Sequence, residues 1–122
     1  MNTQSPLFDR PAALERLEGD GELLREIIGI YLEDAPRLFL ALKQARTDCD
    51  QKTSERQAHS LKGASANVGA VALQEISFSA ETFARDGEWT NLEKLLPEME
   101  QLLHASMDAL RRGCGSRRRT TG

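Results

Sequence analysis

Aromatic side chains are scarce in this 122-residue sequence, which has four Phe, one Tyr and one Trp. Sheets draw on aromatic and β-branched residues, so the shortage weighs against a strand-built protein. Proline and glycine are not enriched, whereas Leu, Ala, Glu and Arg are common, as in an all-helical chain. Only two cysteines occur, Cys49 and Cys114. They stand apart, without metal-ligand spacing, so reduced thiols are expected. No apolar run approaches the roughly 20 residues needed to span a bilayer. Met1 to Asp9 lacks the charged and apolar regions of a signal peptide, so a cytoplasmic protein without membrane contact is expected. Also missing are a glycine-rich loop to cradle a phosphate and paired histidines at metal spacing. An enzyme would need a second catalytic group or a metal.

Acids are absent from residues 111 to 122, which hold five of the 16 basic residues. The rest of the chain has 11 basic and 19 acidic residues, so a net charge of -3 conceals a body at -8. An acidic body argues against a duplex nucleic-acid binder, which needs cations to neutralise phosphates. Arg117-Arg118-Arg119 could touch an anionic surface, but in a Gly/Ser/Thr segment the plainer reading is a frayed end. A tail that bound nucleic acid would show a strongly salt-dependent affinity lost on removing residues 113 to 122.

What is present is helical periodicity. Asp9 can cap a short first helix with Pro11 in its first turn, ending at Gly19-Asp20-Gly21. From Glu22, the residues Leu24, Ile28, Tyr31, Ala35, Leu38, Leu42 and Ala45 recur at steps of four and three, predicting a helix of about 25 residues. Pro36 should kink it without ending it, since the stripe stays in phase. Thr47 to Asp50 is a turn, and Asp50 or Thr53 can cap the third helix, which Gly69 closes. A fourth runs from about Val71 to Arg85 on Leu73, Ile76, Ala80 and Phe83. Thr90-Asn91-Leu92-Glu93 has the form of a capping box opening a last helix on Leu92, Leu96, Met99, Leu103, Ser106 and Leu110, kinked or restarted at Pro97. Four striped helices with short connections can bury their stripes only against each other. The expected fold is all-α, an up-down antiparallel four-helix bundle with a short extra N-terminal helix over one end. Residues 1–112 form the domain and residues 113–122 a flexible basic tail.

The chemistry is concentrated in Ala58-His59-Ser60-Leu61-Lys62-Gly63. At about 3.6 residues per turn, Lys62 and Gly63 share a face with His59. Ala58, Leu61, Ser65 and Val68 form a separate stripe of core spacing, so His59 points away from the core. An outward imidazole, a cation one turn on and a residue without a side chain suit a large, negatively charged visitor. Ser65, on the core stripe, is expected to bond a backbone carbonyl one turn back. His104 lies off the last stripe and is assigned no role.

Ala58-His59-Ser60-Leu61-Lys62-Gly63 followed by Asn67-Val68-Gly69-Ala70 resembles the A-H-x-L-K-G and downstream G-A of histidine-containing phosphotransfer domains, the carriers of multistep phosphorelays. Phe8-Asp9, Leu17 with Gly19-Asp20, and Tyr31 to Pro36 extend the likeness to roughly residues 8–111. The resemblance implies that His59 takes a phosphoryl group from a receiver's aspartyl phosphate and passes it to another receiver's aspartate. A neutral imidazole has the lone pair for this, and by similarity the distal ring nitrogen reacts. Lys62 would stabilise the phosphoryl oxygens and Gly63 would leave room for the receiver. Glu81 matches a position that can hold the proximal nitrogen. Arg85 is a weaker candidate for a contact with phosphate or receiver. Many members have serine after the glycine, where this chain has Ala64.

The resemblance further implies no cofactor of its own, since the receiver supplies Mg²⁺, and no autophosphorylation from ATP. It implies a monomer whose partners are receiver domains or a hybrid sensor kinase, chosen by surface residues such as Glu55, Arg56 and Ala66. The competing reading is an adaptor bundle that binds such domains without carrying phosphate. Retention of His59 together with Lys62-Gly63 counts against it.

Overall fold

A computed structural model describes residues 5–119, with residues 114–119 given by their backbone alone. The described residues form five helices and no strand: α1 Arg10–Arg16, α2 Gly21–Thr47, α3 Gln51–Val68, α4 Val71–Arg85 and α5 Trp89–Arg119. Helices α2 to α5 pack in a ring, each against its neighbours in sequence and α2 against α5, while α1 touches α2 and α3. This is the expected antiparallel four-helix bundle with a short helix added at the N-terminal side.

Local chemistry sets the helix boundaries. Asp9, Asp20 and Asp50 each accept a backbone N–H three residues on, from Ala12, Leu23 and Thr53. A cap of this kind is worth about 1 kcal/mol. Helices α1 to α4 all end in the same pair of backbone bonds, closed by a left-handed residue: Glu18, Cys49, Gly69 and Gly87. Such an ending satisfies two of the carbonyls that a helix terminus leaves free. At Gly69 the reason for glycine is also steric. A Cβ there would stand 2.7 Å from the Asp9 carbonyl oxygen, and the Asp9 N–H donates to the Gly69 carbonyl at 2.7 Å. This contact pins the start of α1 to the end of α3.

The stripes meet in one core, with Leu24, Ile28, Leu42, Leu61, Leu73, Leu92, Met99 and Leu110 among its fully buried members. Each buried leucine contributes about 1.5–3 kcal/mol. Phe39 rather than Leu38, and Ala84 rather than Phe83, occupy the buried positions, with Leu38 and Phe83 half-buried beside them. A step of three or four satisfies the period equally, so periodicity places a stripe without fixing its centre line. Ser65, predicted to bond its own helix, instead pairs with the Tyr31 hydroxyl at 2.7 Å. Tyr31 comes from α2, so the two helices share a buried polar contact; burial raises the phenol to about 12 although the Ser65 bond lowers it.

Pro36 lies inside an unbroken α2, as expected, and Pro97 lies inside an unbroken α5, which therefore does not restart there. Helix α5 starts at Trp89, so Thr90 is its second residue rather than a cap, and the Leu92 N–H bonds the Glu88 carbonyl. Arg46 of α2 accounts for this early start: it lies 5.3 Å from the Trp89 ring and 3.0 Å from the Glu93 carboxylate, holding the first turn in place. Finally, α5 continues to Arg119, past residue 112 where a flexible tail was expected. Arginine favours helix, and Gly113 sits against the Phe8 ring, so the helix has both propensity and a contact to extend it. Of the expected tail, residues 120–122 lie outside the described residues.

Candidate functional site

Helix α3 turns Ala58, Leu61, Ser65 and Val68 into the core, which leaves His59 on the opposite side with 64% of its side chain exposed. Helix α4 supplies what stands next to it. Glu81 follows Ala80 on the buried side of α4 and is itself buried, with 10% of its side chain exposed. One carboxylate oxygen, Oε2, lies 2.9 Å from His59 Nδ1. The other, Oε1, lies 2.8 Å from Lys62 Nζ. A single buried carboxylate therefore holds both the imidazole and the ammonium.

Burial by itself would push the Glu81 carboxyl up, but the contacts from Lys62 and His59 outweigh it and hold the group below the usual carboxylate value of 4.5. Glu81 is thus ionised at neutral pH and can only accept. It follows that Nδ1 carries a ring hydrogen and donates it to Oε2, so that in the neutral ring the lone pair falls on Nε2. Fixing a tautomer through the far nitrogen is what a hydrogen-bonded carboxylate does for imidazoles generally.

Gly63 lies one turn along α3 from His59, and a Cβ there would meet nothing within 4 Å. Its backbone angle is an ordinary helical one, so nothing within the molecule requires glycine. Its helical position is tolerated at a cost of about 1 kcal/mol relative to alanine. Gly63 and Lys62 also border a groove of about 610 Å³ between α3 and α4, shared with Ala66, Gln74 and Phe78. Arg85 is not brought into this cluster. Its Nε lies 3.8 Å from Asp86, and its carbonyl accepts from Gln51. Glu55 is half-buried and Arg56 exposed on α3. His104 stands apart, 3.9 Å from Glu100.

Two features of the cluster were not read from the sequence. One is that Glu81 holds Lys62 as well as His59. The other is Phe78, more than half exposed, whose ring centre lies 5.2 Å from Lys62 Nζ. A signal existed for the second: Phe78 precedes Glu81 by three residues, so both lie on one face of α4.

An exposed histidine on the flank of a helical bundle, backed by a buried acid and flanked by a lysine and a glycine, has the arrangement of a phosphoryl-carrier module. A family model described as Hpt domain matches residues 26–113, and the chain belongs to that family. The phosphorelay intermediate protein rdeA of Dictyostelium discoideum is 23% identical over 99 residues, covering 81% of this chain. The chain spans about two-fifths of the length of that curated relative, 39%. Among solved structures, histidine-containing phosphotransfer protein B (HptB) from Pseudomonas aeruginosa PAO1 superposes with a TM-score of 0.83 at 23% identity, covering 91% of this chain and 96% of its own. That likeness bears on the fold.

Proposed function

We propose that the protein is a histidine phosphotransfer carrier of a phosphorelay, with His59 as the phosphoryl acceptor. The observation that carries this reading is the His59–Glu81 contact at Nδ1, on an imidazole whose side chain is 64% exposed; it supports Nε2 as the nitrogen open to a partner. The Nε2 lone pair attacks the phosphorus of an aspartyl phosphate on a receiver domain. An N–P bond forms as the acyl O–P bond breaks, and the carboxylate leaves with its electron pair. The proton on Nδ1 stays in place, so the phosphorylated ring is cationic and faces the Glu81 carboxylate. The reverse sequence delivers the group to a second receiver's aspartate.

Lys62 supplies positive charge for the phosphoryl oxygens, as cations do in such transfers. Gly63 gives the receiver's surface a close approach, a role supported by the open space above it. The divalent ion that such a transfer uses is the receiver's to supply. The chain draws its phosphate from receiver or hybrid-kinase partners rather than from ATP. We place this exchange in the cytoplasm; separately, no described helix is long and apolar enough to cross a membrane.

Incubation with a phosphorylated receiver should label the protein with an acid-labile, base-stable phosphate. His59→Gln should abolish the label while leaving the circular dichroism spectrum unchanged, because the ring is mostly outside the core. Labelling that persists in this variant would exclude His59. Receiver binding without any labelling of the native chain would favour the adaptor reading instead.

A further inference from the structure

Four side chains meet across the α3–α4 seam as two facing pairs, each three residues apart: His59 and Lys62 on α3, Phe78 and Glu81 on α4. The Lys62 ammonium lies 2.8 Å from the carboxylate and 5.2 Å from the centre of the Phe78 ring. Phe78 contributes little to the core, since 53% of it is exposed. Its face toward Lys62 is its chief polar interaction.

We propose that Phe78 is a positioning residue that keeps the Lys62 ammonium beside His59 during phosphoryl transfer. The proposal rests on His59 being the acceptor. At rest, Lys62 is tied to Glu81, which lies at the Nδ1 side of the imidazole. The phosphoryl group arrives at Nε2, the opposite side of the ring, so Lys62 must leave Glu81 to reach its oxygens. A flexible lysine released from the carboxylate with nothing else to hold it would spread over many rotamers and into water. The aromatic face offers a second anchor that attracts a cation through its quadrupole. Unlike another carboxylate, it carries no charge to neutralise the ammonium. At rest the Lys62 side chain is only 27% exposed, and against the ring its charge would remain free for the phosphoryl oxygens once it leaves Glu81.

Single-turnover transfer from a phosphorylated receiver to the full chain tests this. Phe78→Leu keeps the apolar bulk and removes the quadrupole. It should slow transfer at saturating receiver about two- to fivefold, the factor that an exposed cation–π contact is worth. The half-saturating receiver concentration should not change, and Phe78→Tyr should retain the native rate. In a Lys62→Met background, Phe78→Leu should cause no further loss, because the contact it removes is already gone. An unchanged rate in Phe78→Leu would overturn the proposal. So would a loss that adds in full to that of Lys62→Met or lies only in the half-saturating concentration, since the ring would then be touching the receiver. Melting curves of each variant separate these effects from unfolding, and Phe78→Met provides a second apolar replacement. Absence of any label on His59 of the native chain would bring down the carrier reading too; normal labelling with an indifferent Phe78→Leu sinks only this inference.

Discussion

Gly63 has neither a left-handed backbone nor a neighbour that would collide with a side chain, so its presence in mid-helix is a departure from what stability favours. Gly63→Ala should raise the stability of the bundle by about 0.5–1 kcal/mol, measurable as a shift in the urea midpoint. Gly63→Gln should slow transfer by raising the receiver concentration needed for half-maximal rate. Glu81 yields a prediction in pH. Its carboxyl holds its proton less tightly in the folded protein than the ordinary value of 4.5. Its contacts therefore add stability above that value and lose it as pH falls through the lower folded value. Urea melts taken from neutral pH downward should show the native chain losing this increment, and Glu81→Gln should lack it. At this scale helical spacing alone put His59, Lys62 and Gly63 on one face, while Glu81 came only from the family resemblance. Neither exposed the sharing of one carboxylate by ring and ammonium, which depends on how α3 and α4 are rotated against each other.

Helix ends carry the next level of order. The residue closing α3 must be left-handed and must pass within reach of Asp9, so Gly69→Ala should destabilise the bundle by about 1–3 kcal/mol and loosen α1. Cys49 takes the same left-handed role at the end of α2 without being glycine. Cys49→Gly should therefore stabilise by up to about 1 kcal/mol. Thermal or denaturant melts of the two variants should move in opposite directions. Capping aspartates and Gly69 were legible because each acts on its own neighbours. The start of α5 was not, because Arg46 reaches Trp89 and Glu93 from another helix and prevails over the local Thr-x-x-Glu pattern. The Tyr31–Ser65 contact escaped for the same reason.

For the molecule as a whole, the ring of four helices followed from the number and phase of the apolar stripes, because no other arrangement buries all four. The exchange of Leu38 for Phe39 and of Phe83 for Ala84 at the buried positions did not disturb it. What periodicity left open was the surface. Phe78 lies outside every stripe, and only the paired geometry of α3 and α4 gives it a neighbour with which to interact. The site is thus built on the flank of the bundle from two helices, with no loop folded over it among the described residues. A phosphoryl group parked on such a ridge has no shelter from bulk water. If His59 is the carrier, the charged form would run on a clock, and each encounter with an acceptor would become a race against hydrolytic decay, so messages would fade unless the next protein arrived promptly.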